Sequence, residues 1–292
     1  MRDRYVDRLA ARIERTGSVL CVGIDPDPAA LPAGFSADVD GVARFARTLV
    51  EATASVAAAF KPNLAYFEAF GAAGVAVLES LRAAVPDDIP LIADAKRGDI
   101  GPTADRHARA IVEALGADAV TVSPYLGRDA VEPFVERGAF VYVLCRTSNP
   151  SAGELQDVEV ATGQGSEPLY SRVARNVEAW DGGRGVHGLV VGATAPGELA
   201  DVRRVAPTLP FLIPGVGAQG GSLEAALRDG PARSGHAAAS PGGLVLVNVS
   251  RGIAQAAVGS VGDPGTALRE AARSWALRLR VLDSVPAQER GT

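Results

Sequence analysis

The sequence is poor in the residues that carry redox, metal and hydrolytic chemistry. Only two of its 292 residues are cysteine, and only three are histidine. Cys21 and Cys145 each sit inside an apolar run, so they read as buried core thiols rather than a disulfide or a metal pair, which fits a reducing cytoplasm. His107, His187 and His236 are scattered without metal-ligand spacing, so no metal site is expected. Neither a nucleophile elbow nor a Cys/His pair is present on which a hydrolytic triad could be built.

Runs of one kind are missing too. No Lys/Arg-rich run occurs and the formal net charge is −5, which argues against a protein that coats nucleic acid or an anionic membrane. An anionic small molecule stays compatible, because one local pocket can be positive on an acidic protein. No stretch approaches the ~18 consecutive apolar residues of a membrane-spanning helix. The N-terminal MRDRYVDRLAARIERTG is amphipathic and charged throughout, without the apolar core and cleavage site of a signal peptide. The expectation is a soluble, cytoplasmic protein with no nucleic-acid and no membrane partner.

What is present is a large core. Hydrophobic residues make up 47% of the chain and charged residues 22%, and the length suits one large barrel or two domains. Eight short apolar runs recur: VLCVGID ending at Asp25, VAAAFK at Lys61, PLIADAK at Lys96, DAVTVSPY at Tyr125, FVYVLCR at Arg146, HGLVVGA at Ala193, PFLIPGVG at Gly217 and GLVLVNVSR at Arg251. They are apolar on consecutive residues, as strands buried on both faces of a parallel sheet are. Helical stretches such as VARFARTLVEATAS and TADRHARAIVEAL lie between them. This alternation predicts an α/β fold, a single-domain (β/α)8 TIM barrel over 1–292, with an N-terminal helix and a C-terminal helix. An open doubly wound sheet permits the same alternation. GVGAQGG, however, lacks the acidic residue about 20 positions later that a dinucleotide fingerprint requires. Segments 148–168 and 230–243 are rich in Gly, Ser and Pro and read as long loops, the first a candidate lid and the second a solvent-facing insertion.

Ionisable residues end the first three runs: Asp25, Lys61, and Asp94 with Lys96. Taken singly, each is an ordinary rim residue. Taken together, they meet at the C-terminal mouth of a barrel, where such folds do their chemistry. Asp94 and Lys96 are two apart and share a face on a regular strand, whereas Asp99 lies beyond it. A lysine among such carboxylates stays protonated at neutral pH, which suits a proton donor and not a Schiff-base nucleophile. Gln219, in the glycine-rich turn after the seventh run, and Arg251, after the eighth, sit where many barrels hold a phosphate.

The segment DAKRGDIGPTA resembles the Asp-x-Lys-x-x-Asp-Ile-x-x-Thr signature of orotidine 5′-phosphate decarboxylases. FKPN, CRTSNP and NVSRGI are similar to segments of the longer bacterial branch of that family, and the matching positions run from residue 25 to 251. The resemblance implies a cofactor-free carboxy-lyase of pyrimidine biosynthesis that turns orotidine 5′-phosphate into UMP and CO2. It implies that Asp25 and Lys61 bind ribose hydroxyls, with Lys61 also bonded to Asp94. Lys96 would protonate C6, with Asp94 beside the substrate carboxylate. Ser148 would read the pyrimidine, and Gln219 and Arg251 would hold the phosphate. Asp99, Ile100 and Thr103 would reach the neighbouring subunit's site in a homodimer with shared active sites. The chain departs from shorter members at Ser250, where they have Gly, and in the expanded approach 235–243.

Two other readings compete. A metal-dependent sugar-phosphate decarboxylase of the 3-keto-L-gulonate 6-phosphate type has a similar motif, but it needs a metal-binding Glu near the end of the second strand, and Glu68 lies too deep in the next segment. A non-catalytic nucleotide-binding barrel has no need of a proton-donating lysine.

Overall fold

The structure is a computed structural model and describes residues 4–163, 165–217, 220–260 and 262–281. Among these residues, ten strands follow in chain order: β1 (Leu20–Ile24), β2 (Ala59–Pro62), β3 (Ile92–Arg97), β4 (Ala119–Val122), β5 (Phe140–Arg146), β6 (Glu159–Thr162), β7 (Gly165–Pro168), β8 (His187–Val191), β9 (Phe211–Ile213) and β10 (Leu246–Val249). Eight of them form one parallel sheet in the order β2-β1-β10-β9-β8-β5-β4-β3. Single bridges Phe60 to Leu91 and Asn63 to Asp94 close the seam between β2 and β3. The predicted (β/α)8 barrel is therefore the fold. Each of the eight apolar runs supplies one barrel strand, and most strand positions are buried because side chains pack both inside the barrel and against the outer helices.

The N-terminal end of the barrel is plugged. Helix Tyr5–Thr16 lays its apolar face across it, with Leu9 and Ile13 fully buried. Tyr5 stacks on Phe140 at a ring separation of 4.6 Å and shares a 3.0 Å hydroxyl hydrogen bond with Tyr142. Gly188 makes room for these rings, since a Cβ there would lie 2.9 Å from Tyr142 and 3.0 Å from Phe140. Arg8 pairs with Asp118 just before β4, and Arg12 donates to the carbonyl of Ala57 just before β2 and pairs with Asp88 before β3. Helix Pro264–Arg278 follows β10 and packs on helix Val39–Thr53.

Two segments differ from the expectation of plain loops. Within 148–168 lie a short helix, Gly153–Gln156, and the antiparallel hairpin of β6 and β7. The insertion 230–243 is not simply solvent-facing: it contains the helix Gly235–Ala239, and Ala232, Ala237 and Gly243 are buried. Alanine and glycine let this segment pack closely beside helix Tyr5–Thr16; a Cβ on Gly242 would fall 3.7 Å from Ile13 of that helix and 2.8 Å from Val19 just beyond it.

Candidate active site

A cavity of about 540 Å³ opens at the C-terminal ends of the strands. Its wall includes Asp25, Lys61, Asp94, Lys96, Ser148 and Arg251, six of the residues singled out in the sequence. Its floor includes apolar side chains of β5, β8 and β9: Leu144, Val190 and Leu212.

Asp94 is the hub. Its Oδ2 accepts a 2.6 Å hydrogen bond from Lys61 Nζ and its Oδ1 a 2.6 Å bond from Lys96 Nζ. Lys61 is only 4% exposed, so its ammonium needs this partner. Burial pushes the Asp94 carboxyl up, but the two lysines outweigh it and hold the group well below the usual carboxylate range. Burial likewise disfavours the Lys61 ammonium, and Asp94 and Asp25 reverse that, leaving it above the ordinary lysine value. Lys96, with its side chain 51% exposed, is the open end of the array.

The geometry differs in two respects from the one expected. Regular alternation does not bring Asp94 and Lys96 together. The pairing of β3 with β4 shifts register between Ala93 and Arg97, and Lys96 adopts a positive φ of 46°. This is a bulge that re-aims the side chains next to a site. In addition, the chain places a carboxylate between two ammoniums rather than an ammonium between two carboxylates. Asp99 accepts the N–H of Ile100 at 2.8 Å, and no hydrogen bond or ion pair links it to Lys96. Ile100 is 52% exposed and Thr103 is also on the surface, both outside the cavity wall.

Ser148 follows β5 on a loop that comes in against β8. Gly192 permits this approach, because a Cβ there would meet Ser148 at 3.0 Å. Arg146 donates to the carbonyl of Thr147 at 3.0 Å. Gln156 accepts the N–H of Thr147 at 2.9 Å and donates to its hydroxyl at 2.7 Å. Arg251 is exposed at the start of the short helix Arg251–Ala254. Gln219 lies outside the described residues; nearby, Gly221 N–H donates to the carbonyl of Gly215 at 3.0 Å.

The cavity is also lined by polar residues that do not end an apolar run. Thr121 on β4 donates to Asp94 Oδ1 at 2.9 Å. Asn248 on β10 lines the cavity, and among the described residues its Oδ1 and Asp25 Oδ1 are buried acceptors without a hydrogen-bond partner. Each of Thr121 and Asn248 is a polar residue interrupting an apolar strand near its C-terminal end, and that is a signal the sequence carries. Glu68 ends the helix Leu64–Glu68 and pairs with Arg97, away from the cavity wall. Among the described residues, no group of three or more His, Cys, Asp or Glu is arranged to hold a metal ion, and no helix is long and apolar enough to cross a membrane.

Fold and cavity define a (β/α)8-barrel enzyme whose charged cluster opens at the C-terminal ends of the strands. Residues 18–270 match the family described as orotidine 5′-phosphate decarboxylase / HUMPS family, and the chain belongs to it. It is 47% identical over 279 residues to an orotidine 5′-phosphate decarboxylase from Thermomicrobium roseum, covering 94% of this chain and 93% of that protein. To one from Halorubrum lacusprofundi it is 51% identical over 253 residues, covering 85% and 87%. Its fold is similar to that of Leishmania donovani OMP decarboxylase, with a TM-score of 0.78 and 40% identity over 95% of this chain and 98% of that one.

Proposed function

We propose that this protein is an orotidine 5′-phosphate decarboxylase that converts orotidine 5′-phosphate to UMP and CO2 without a cofactor, and that Lys96 donates the proton to C6. The observation that carries the mechanistic reading is the pair of 2.6 Å contacts that clamp Asp94 between Lys61 and Lys96 on the cavity wall. The family and its relatives, at 47% identity over most of both chains, carry the choice of substrate.

In the reaction the bond from C6 to the carboxylate breaks and CO2 leaves. The electron pair stays at C6 and takes a proton from the Lys96 ammonium, which solvent restores. C6 has no conventional electron sink, so the charge must be met by groups fixed beforehand, and an ammonium held by Asp94 is such a group. The bonded array cannot relax away from the substrate without breaking two short hydrogen bonds. Asp94, kept ionised by both lysines, would sit beside the substrate carboxylate. Asp25 and Lys61 would bind ribose hydroxyls, Ser148 the pyrimidine, and Gln219 and Arg251 the phosphate. Binding energy from that remote phosphate would order the loops over the site.

The exposed Ile100 and Thr103, and the absence of a contact from Asp99 to Lys96 within one chain, support a homodimer in which these residues complete the partner's site. The chain is read as one barrel domain acting in the cytoplasm. The test is a spectrophotometric assay with orotidine 5′-phosphate before and after EDTA treatment. Equal turnover in both is expected; turnover that requires added metal would reject the cofactor-free assignment.

A further inference from the structure

We propose that Thr121 is a positioning residue for this site: its hydroxyl holds the β3 bulge in the backbone form that brings Lys96 onto Asp94. The proposal rests on the decarboxylase reading above.

The register on β4 places Val120 opposite Ala93 and Val122 opposite Arg97. Three β3 residues, Asp94, Ala95 and Lys96, therefore face Thr121 alone. A parallel ladder would satisfy the backbone N–H groups of such residues with neighbouring carbonyls. Here the Thr121 hydroxyl replaces it, accepting from the N–H of Ala95 at 3.1 Å and of Lys96 at 3.0 Å. Its single proton goes to Asp94 Oδ1 at 2.9 Å. A hydroxyl has one donor and two acceptor positions, and all three are used. Thr121 is 1% exposed, so bulk water is not available to take over these bonds.

Each bond touches a group the chemistry needs. The two accepted N–H groups lead directly into the Lys96 N–Cα bond, where φ is 46°, a conformation that persists only when the surroundings over-determine it. The donated bond fixes the same carboxylate oxygen that Lys96 Nζ reaches. A purely structural threonine would stabilise the strand without setting the angle between ammonium and carboxylate.

Thr121→Val keeps the shape and removes all three bonds, whereas Thr121→Ser keeps the hydroxyl. Steady-state kinetics with orotidine 5′-phosphate should show kcat lowered about 100-fold in Thr121→Val, with KM within about threefold of the parent, as expected for a displaced reacting group. Thr121→Ser should restore kcat to within about threefold of the parent. A Thr121→Val enzyme with parental kcat, or one impaired in KM alone, would overturn the proposal. Should that variant not fold, Thr121→Ala removes the same hydroxyl with less bulk. A crystal structure of the folded variant reads the claim without activity: Lys96 should leave the positive-φ region and lose its contact with Asp94, and retention of both would overturn it. A parent chain inactive on orotidine 5′-phosphate would defeat the functional reading instead, and the crystal structure would still decide the role of Thr121.

Discussion

At the scale of single residues, the proposed mechanism divides the site between a fixed charge array and a remote anion grip. It assigns Arg251 to the second. Arg251→Ala should raise KM and lower kcat/KM by roughly 10- to 100-fold, the range for one lost hydrogen bond to a charged group, with the melting temperature nearly unchanged. Steady-state kinetics beside a thermal melt checks this, and an unfolded variant would instead make Arg251 structural. Much of this site is legible in the sequence because charged residues that end apolar runs stand out against their surroundings. Asp25, Lys61, Asp94, Lys96 and Arg251 emerge that way, whereas Ser148 is legible only through the family resemblance. Thr121 and Asn248 are harder to see, since a lone polar residue within an apolar strand looks like a tolerated core hydroxyl or amide. The bulge at β3 is harder still. It depends on pairing with β4, and spacing within one strand carries no information about its neighbour.

At the scale of elements, the strands are the easiest part to read and their connections the hardest. Eight continuous apolar runs become eight barrel strands because burial on both faces leaves little room for polar positions. The hairpin of β6 and β7 escapes notice because its strands, EVAT and GSEP, are short and have no buried position, with no apolar face to give a period. Junctions instead depend on individual side chains. Asp181, at the end of helix Leu169–Asp181, accepts the N–H groups of Gly185, Val186 and His187 and contacts the His187 ring at 3.2 Å. It thereby ties that helix to the start of β8. Burial raises the Asp181 carboxyl, but His187 and the three N–H groups outweigh it and lower it to about 2. A depressed carboxyl stabilises the fold above its ordinary titration and loses that contribution as pH falls through the lowered value. Asp181→Ala should therefore cost roughly 3 kcal/mol at neutral pH, through several buried donors left unpaired. The difference between parent and variant in urea unfolding should shrink as pH falls from about 4 towards about 2. A gap that stays constant down to acid pH would contradict this role.

At the scale of the whole molecule, the barrel separates stability from chemistry. Helix Tyr5–Thr16 and the 230–243 insertion pack at the N-terminal side, while the charged cluster and the cavity occupy the C-terminal mouth. The proposed homodimer would join the two halves of the proposed mechanism. If Asp99 completes the partner's site, Lys96→Ala and Asp99→Ala enzymes should each be nearly inactive. A heterodimer of the two restores one site from the intact Lys96 of one chain and the intact Asp99 of the other. Equal mixing with subunit exchange should therefore recover up to about a quarter of the parental activity, as two-fold symmetry requires. No recovery, with exchange demonstrated by a tagged chain, would place Asp99 in its own chain's site or outside both.

Lys96, held on Asp94 at 2.6 Å, is the proposed donor of the proton to C6. That role is tested most directly by the turnover of orotidine 5′-phosphate by Lys96→Ala after EDTA treatment, with circular dichroism as the check on folding. Turnover should fall by more than about 1,000-fold in a variant that keeps the parental spectrum, since both the proton donor and a fixed charge are lost. A folded Lys96→Ala enzyme with a near-parental rate would remove Lys96 from the proton-donor role.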